Sequence, residues 1–191
     1  MSSPVVLGLD TGFANIGYAV VQLGKHPEQD RLLDIGHFQT EKASGKRKDI
    51  RASEDNIERA RQIASSLNSV ISEWPSLNLV TYEAMSLPRN ASVAAKIGMC
   101  FGVLAATIES SHLPAQAATP QEIKKSVAGD KSATKEAIQT KLLTKFPNAK
   151  DMLKAKKLAA SKHEHPFDAL GSIVACYQTD IMRMLRQQVK P

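Results

Sequence analysis

The sequence lacks the features that mark exported, membrane-spanning or disulfide-bonded proteins. It contains only two cysteines, Cys100 and Cys176, and each lies within an apolar helical pattern. We therefore expect small core residues rather than a disulfide or a metal site. No basic segment followed by an apolar stretch opens the chain, and inspection finds no run of about 18 apolar residues. A cytoplasmic protein with no membrane partner is expected.

Positive charge is abundant and is concentrated in the last third of the chain. The net charge is +6. Residues 1–120 carry 11 lysines and arginines against 12 acidic residues, whereas residues 121–191 carry 14 against 7. A localised basic surface attracts polyanions through phosphate neutralisation and counterion release. Nucleic acid is therefore the leading candidate partner, although charge alone is a weak signal.

The first half of the chain reads as a three-stranded meander, a helix and a buried strand. Short β-branched or alternating runs between turn residues predict the meander. Apolar residues at helical spacing, behind Ser53 as the expected N-cap, predict a long amphipathic helix. A run that is apolar throughout predicts a strand paired in parallel within the sheet. The predicted ranges are 4–10, 16–23 and 31–40 for the meander, 53–74 for the helix and 77–84 for the last strand.

The second half is mainly helical. Thr119, Pro120 and Glu122 have the spacing of a capping box with proline at the first helical position. The predicted ranges are a helix at 90–112, an extended stretch at 115–119, a helix after Thr119, a helix at 132–146 and a helix at 166–188, with residues 147–164 unpatterned. We therefore expect a single domain over residues 1–191, with an α/β fold whose mixed five-stranded sheet is covered by helices.

Three acidic residues occupy positions where chemistry is expected. Asp10 and Glu83 each end an apolar strand, and Asp168 lies in the first turn expected for the final helix. A carboxylate at the end of a buried strand is costly unless it binds a cation or hydrogen-bond donors. Carboxylates from neighbouring strand ends can hold Mg²⁺. Taken singly, Asp10 or Glu83 could serve a turn, and Asp168 could complement the helix dipole.

Four segments in order resemble a known family. GLDTGFANIGYAVV, then TYEA with RNASVAAKIGMCFGVLAA, then ATPQEIKKSVAGDKSATKEAIQ, and finally HPFDALGSIVAC are similar to the successive motifs of RuvC Holliday junction resolvases. The resemblance covers most of residues 4–178 and implies the ribonuclease H-like fold, with a viral member of the family as one option. It implies a structure-selective endonuclease that cuts four-way junctions and other branched DNA, such as flaps or replication forks.

The resemblance also implies the catalytic and metal-binding residues. Asp10, Glu83 and Asp168 match the family's metal-binding carboxylates. His165 falls where many members carry aspartate and some carry histidine, so it is the fourth expected ligand. Two Mg²⁺ or Mn²⁺ ions are implied, and the imidazole favours Mn²⁺. His163 and Glu164 are alternatives as ligand or base.

DNA contacts are implied at two places. Lys124 and Lys135 match basic positions near the scissile phosphate, and independently of the family both follow predicted helix N-termini. Many members carry an aromatic wedge shortly after the central glutamate, where this chain has Met85 and Leu87, followed by Arg89. Apolar side chains can still unstack a base step. A lysine cluster between 150 and 162 is a second candidate phosphate track.

The helix that holds Gly98 and Gly102 has two interpretations. Small residues four positions apart allow another helix to approach, and the family resemblance implies a homodimer through this helix; the alternative is close packing on its own sheet. Two alternative functions also remain open at this point. One is a catalytically weak protein that binds branched DNA, and the other is an actin-like ATPase, for which 191 residues leave little room. The expected setting is a bacterial or virus-infected cytoplasm, with an organelle matrix as the alternative.

Overall fold

The computed structural model describes residues 3–42, 51–86 and 88–190 and contains a five-stranded sheet. The strand order is β3-β2-β1-β4-β5. β1 and β2, and β2 and β3, pair antiparallel, while β4 joins β1 and β5 joins β4 in parallel. The predicted meander and the predicted parallel pairing of the next strand are confirmed. The strands are β1 (Val5–Thr11), β2 (Asn15–Gln22), β3 (Arg31–Gln39), β4 (Leu77–Glu83) and β5 (Ala115–Ala118).

Seven α-helices within the described ranges cover this sheet. They are α1 (Ala52–Glu73), α2 (Ala91–Ser110), α3 (Pro120–Ala128), α4 (Lys135–Lys145), α5 (Ala149–Ala155), α6 (Glu164–Ala175) and α7 (Asp180–Gln187). One core lies between the sheet and α1 with α2, and includes Leu7, Leu9 and Leu67. The other lies between the sheet and the later helices, and includes Val6 and Phe146. The α/β fold class expected from the sequence is confirmed.

Two helices begin at different residues from those predicted. The residue before α1 is Arg51 rather than Ser53, and the Arg51 backbone N–H donates to the Glu54 carboxylate at 3.2 Å. The cap of α4 is Thr134, whose hydroxyl accepts from Ala137 N–H. Ser132 is instead held in the preceding turn, since its N–H and its hydroxyl both donate to Asp130. Ser132 is thus a residue of the right type that is used in another local motif, whereas Ser53 lies inside the first turn of α1.

The last part of the chain differs more from the prediction. Residues predicted as unpatterned form α5, because Ala149 and Leu153 are fully buried in the core. The single helix predicted over 166–188 is two helices, which are separated at Thr179. The backbone of Thr179 is extended, and its hydroxyl donates to the Cys176 carbonyl at 2.7 Å. Since α6 starts at Glu164, Asp168 lies in its second turn rather than its first.

Helix α6 lies directly against the central strands because two glycines leave room for its backbone. A Cβ atom at Gly8 would collide with the Ala169 carbonyl oxygen, and one at Gly17 would collide with the His165 carbonyl group. Glycine is required wherever backbones approach this closely. This approach sets the start of α6 over the end of β1.

Helix α2 is apolar but exposed. It is long and apolar enough, by length and composition alone, to cross a membrane, with a mean hydropathy of 1.7 and only 17% of that window buried. The sequence prediction, which looked for a run of about 18 apolar residues, missed this helix. A Cβ atom built at Gly98 or Gly102 has no atom within 4 Å among the described residues. The alternative that these glycines pack on the protein's own sheet is therefore wrong.

The two cysteines and the C-terminal helix stabilise the interior. Cys100 and Cys176 are both buried free thiols, as expected.

Arg186 on α7 forms two hydrogen bonds with the buried Asp30 carboxylate, at 2.7 and 2.8 Å. Paired and bonded in this way, the two charges tie α7 to the connection between β2 and β3.

Candidate active site

Three carboxylates meet at one edge of the sheet. β1 and β4 are adjacent and parallel, and Leu9 pairs with Tyr82. Asp10 and Glu83, the next residue in each strand, therefore lie side by side at the same end of the sheet. Asp168 reaches this edge from α6 and lines a cavity of ≈ 120 Å³ together with Glu83. Asp10, Glu83 and Asp168 are called the carboxylate cluster below. The strand-end argument made from the sequence correctly predicted that Asp10 and Glu83 lie together, and it did not extend to Asp168.

His165 joins the carboxylate cluster through Asp10. Its Nδ1 atom lies 2.7 Å from Asp10 Oδ2. An ionised carboxylate only accepts hydrogen bonds, so the imidazole donates from Nδ1, and its Nε2 lone pair is the one left for another partner when the ring is neutral. The bond to Asp10 raises the pKa of His165 above its ordinary value, against the opposing effect of burial.

The carboxylate cluster is strained by its own negative charge. Burial, followed by repulsion from Asp10 and Asp168, raises the pKa of Glu83 to about 7. Burial, followed by repulsion from Asp10, raises the pKa of Asp168 to about 6. Half-buried acids that repel one another are stabilised in their ionised form by a cation.

The donor set fits a hard divalent cation in charge and chemistry. Carboxylate oxygens suit Mg²⁺ and Mn²⁺, and an imidazole adds a ligand that Mn²⁺ accepts well. Within the described ranges, no three His, Cys, Asp or Glu side chains already form a metal-coordinating group. The fit therefore lies in the shared negative charge of the cluster rather than in a preformed cage.

Two lysines face the carboxylate cluster. Lys124 of α3 and Lys135 of α4 line the same cavity as Glu83 and Asp168. Lys135 Nζ donates to Glu164 Oε2 at 2.7 Å, and Glu164 Oε1 lies 3.7 Å from His165 Nε2. Lys135 is also the first residue of α4, where the first backbone N–H groups of a helix have no acceptor within the helix. This corner therefore presents positive groups next to the acids.

The segment after Glu83 lies at the mouth of the site. Met85 is 41% exposed and lines a second cavity with Asp10, Glu83 and Phe101. Arg89 is exposed, and Leu87 lies outside the described residues. Met85 therefore presents a partly exposed apolar side chain beside Asp10 and Glu83.

The residues near 150–162 are only partly available as a phosphate track. Lys156 is engaged, because it pairs with Asp34 at 2.6 Å and donates to the Tyr18 hydroxyl at 2.6 Å. Lys162 donates to Asn15 Oδ1 at 3.0 Å. The Nε2 atom of His163 lies 3.0 Å from the Leu158 carbonyl oxygen and donates to it, so only Nδ1 of this ring is left for another partner.

Sequence reasoning missed His37. Its ring stacks on that of His165 with centroids 5.6 Å apart and planes 28° apart, and its Nε2 lies 3.2 Å from Asn15 Oδ1. Burial, then the charges of His165 and Lys162, lower the pKa of His37 to about 4. The only sequence signal is a histidine in β3 near the expected turn, and the register that brings it to the site is not visible in one sequence.

Comparison with known proteins identifies the family. The sequence model described as "Crossover junction endodeoxyribonuclease RuvC" matches residues 6–163. The RuvC protein of Petrotoga mobilis is 31% identical over 146 residues, which cover 74% of this chain and 80% of that protein. The chain belongs to the RuvC family. Its enzyme class is therefore a crossover junction endodeoxyribonuclease, and nucleases of this family depend on divalent metal ions.

Solved RuvC-type structures share the fold. The structure of T. thermophilus RuvC in complex with Holliday junction substrate has a TM-score of 0.72 and 22% identity, and the likeness covers 95% of this chain and 96% of that one. The yeast mitochondrial Holliday junction resolvase has a TM-score of 0.64 and 13% identity, with 98% of this chain and 82% of that one covered. The fold is therefore ribonuclease H-like.

The RuvC sequence match covers the candidate site unevenly. It includes Asp10, Glu83, Lys124 and Lys135, and it ends two residues before His165. The assignment of His165 and Asp168 depends instead on the close approach of α6 to the sheet, which brings both residues to the carboxylates of the matched region.

Proposed function

We propose that this chain is a structure-selective endonuclease that resolves Holliday junctions and cuts related branched DNA by metal-dependent hydrolysis. The observation that carries the proposal is the meeting of Asp10, Glu83 and Asp168 at one sheet edge, where burial and mutual repulsion raise the pKa values of Glu83 and Asp168. Membership of the RuvC family supplies the reaction class. The T. thermophilus RuvC structure, which is in complex with Holliday junction substrate, supplies the substrate class.

Two Mg²⁺ or Mn²⁺ ions would be held by Asp10, Glu83, Asp168 and His165. When bound, the ions lower the pKa of an attacking water and stabilise charge on the leaving oxygen. Asp10 has a second task in this arrangement, because its hydrogen bond selects the Nδ1–H tautomer of His165. No covalent intermediate on a side chain is needed for this hydrolysis.

The lysines would place the scissile phosphate. Lys124 and Lys135 share a cavity with Glu83 and Asp168, so a phosphate bound by their ammonium groups lies next to the carboxylates. Met85, with Leu87 as the neighbouring apolar residue, would wedge against an opened base step. Arg89, which is exposed just beyond them, would contact the backbone of the same strand.

Helix α2 would form a homodimer. Its apolar face is largely exposed, and nothing among the described residues covers Gly98 and Gly102. Two copies related by a two-fold axis present two cutting sites, which suits a four-way junction of similar symmetry. Burial in such an interface also accounts for an apolar helix in a protein that acts on DNA in the cytoplasm.

The alternatives have less support. The RuvC match does not favour an actin-like ATPase. A binding protein without cleavage is not favoured either, since all four expected metal ligands are present.

The decisive experiment compares a mobile four-way junction, a flap, a three-way junction and linear duplex, each with Mg²⁺, Mn²⁺ or EDTA. We expect paired cuts in the four-way junction, weaker cutting of the other branched substrates, intact duplex, and no cutting in EDTA. Binding to the junction without any metal-dependent cutting would overturn the proposal in favour of the binding protein. Sedimentation of the wild type and of Gly102→Leu tests the dimer, and a wild-type monomer at micromolar concentration would contradict it.

A further inference from the structure

Asp10 and His37 lie in one row across three strands. Asp10 pairs with Gly17 between β1 and β2, and Gly17 pairs with His37 between β2 and β3. Directly paired residues point to the same face of a sheet. The middle position carries no side chain, so a gap separates Asp10 from His37 on the face that α6 covers.

The start of α6 fills this gap. The backbone of His165 lies over Gly17, where a Cβ atom would collide with it. From this position the His165 ring reaches Asp10 on one side, at 2.7 Å, and the ring of His37 on the other, with 5.6 Å between centroids. His165 is thus held between a carboxylate and an aromatic face, and both flank the same glycine.

His37 is itself held in place. Its Nε2 atom lies 3.2 Å from Asn15 Oδ1, which also accepts a hydrogen bond from Lys162 Nζ at 3.0 Å. Because a carbonyl oxygen only accepts, His37 donates from Nε2. The contacts involve the start of β2 and the short 3-10 helix before α6, so the orientation of the His37 ring is set from two elements.

We propose that His37 is a positioning residue, which fixes the plane of the His165 imidazole and so aims its Nε2 atom. The hydrogen bond to Asp10 fixes one ring atom but leaves the ring free to turn about that contact. The flat face of His37 removes this freedom. A group held near its working geometry before substrate binds loses less freedom during the reaction. This inference rests on the proposed function, in which His165 acts through Nε2.

The first experiment uses metal-free, DNA-free protein with isotope-labelled histidine rings, so it does not depend on cleavage. In the wild type we expect a single narrow set of His165 ring signals with the nitrogen shifts of an Nδ1–H tautomer. In His37→Ala these signals should broaden and move, because the stacked ring is lost. His37→Phe retains a flat face and should preserve narrow signals. His26→Ala, at an exposed histidine between β2 and β3, is the matched control and should leave them unchanged.

The second experiment measures single-turnover junction cleavage and junction affinity for the same proteins. Loss of residues that orient metal ligands typically costs about ten- to a hundredfold. We expect a fall of about tenfold in the cleavage rate of His37→Ala, unchanged affinity, and most of the rate retained in His37→Phe. The cleavage rate of Asn15→Ala should lie between the rates of His37→Ala and His37→Phe.

Two outcomes would overturn the inference. One is that His37→Ala retains both wild-type His165 signals and the wild-type rate. The other is that Ala and Phe variants lose rate and thermal stability equally, which would make His37 only a structural residue. If the wild type cuts no junction, the proposed function fails, while the ring signals still decide whether His37 positions His165.

Discussion

His165 Nδ1 and Asp10 Oδ2 are 2.7 Å apart, although the two residues are separated by 155 positions in the sequence. The bond connects the end of the central strand to the start of α6. It makes Asp10 both a member of the carboxylate cluster and the partner that orients a histidine. Substitutions at these two positions should therefore have distinguishable effects on metal use and on DNA binding.

Asp10→Asn should abolish cleavage while leaving junction binding intact or tighter. The amide removes one negative charge required to hold cations, whereas binding depends on phosphate contacts that a less acidic site repels less. Gel-shift affinity in Ca²⁺ and cleavage in Mg²⁺ test both parts. Asp151→Asn, at an exposed position on α5, is the control. Near-normal nicking by Asp10→Asn would refute the metal-site assignment.

The pH dependence of metal use should depend on His165. The Asp10 hydrogen bond raises the pKa of His165 above the ordinary histidine value of about 6.5. The ring therefore stays protonated to a higher pH than an ordinary histidine. A ligand must be neutral, and metal affinity should therefore fall as pH drops through this raised pKa. His165→Asp should retain Mg²⁺-dependent cleavage and shift the loss to lower pH, while His165→Ala should lose much of its activity. If His165→Ala showed the same metal titration curve as the wild type at every pH, this prediction would be contradicted.

Glu164 should weaken DNA binding by neutralising Lys135. Its carboxylate pairs with the Lys135 ammonium at 2.7 Å, at the place where a phosphate is expected. Glu164→Gln removes the competitor, and we expect junction affinity to rise about three- to fivefold at low salt. Glu58→Gln breaks a comparable exposed pair with Arg61 on α1 and should have no effect. Equal affinities for the two variants would show that Lys135 does not meet the DNA.

Lys124→Ala and Lys135→Ala should each reduce cleavage and flatten the salt dependence of binding. Each lost phosphate contact should change the log–log salt slope by about one unit. Lys25→Ala, at an exposed lysine away from the carboxylate cluster, controls for net charge. An unchanged slope in the double variant would move the DNA-binding surface elsewhere, with Lys150 and Lys154 tested next.

Glu83→Gln should stabilise the metal-free protein at pH 8. The folded state raises the pKa of Glu83 to about 7, above its ordinary value of 4.5, so between these values the folded state binds more protons than the unfolded state. Its contribution to stability therefore falls as pH rises through that window. The variant should gain about 1–2 kcal/mol at pH 8 and little at pH 4, once screening of this half-buried group is allowed for.

Urea unfolding in EDTA at the two pH values measures this difference. Glu109→Gln, at an exposed position near the end of α2, should change little at either pH. Saturating Mn²⁺ should stabilise the wild type more than Glu83→Gln, because only the wild type keeps the full ligand set. A Glu83→Gln variant that is less stable at pH 8 would show that the carboxylate is structural.

Much of the fold could be predicted because the relevant signals are local. Alternation and apolar runs predicted the first four strands, and β5 was predicted as a short extended stretch. The Thr119 capping box predicted the start of α3. The meeting of Asp10 and Glu83 followed from the common end of parallel strands. Helix α5 could not be predicted, since its stability comes from burying Ala149 and Leu153 against distant elements. The break at Thr179 was missed because apolar spacing continues across it.

The surroundings of the candidate site were less accessible to sequence reasoning. The place of His37 depends on the register between β2 and β3, including an irregularity between Val20 and Val21 that no local pattern reveals. The engagement of Lys156 with Asp34 and Tyr18 likewise depends on where α5 ends. Residue type predicted which groups could carry chemistry, whereas three-dimensional packing determined which of them already have partners.

The separation of Asp10 from α6 also sets the order of events during synthesis. The meander of β1, β2 and β3 uses neighbouring segments and can pair early, whereas α6 must be made before it can cover Gly8 and Gly17. Contacts distant in sequence form late, and chains emerge from the ribosome with their N-terminal part first. A nascent chain therefore exposes Asp10 and Glu83 long before Asp168 and His165 exist. Under the proposed site assignment, nuclease activity would arise only after α6 has docked, so unfinished chains and early folding intermediates would be unable to cut DNA.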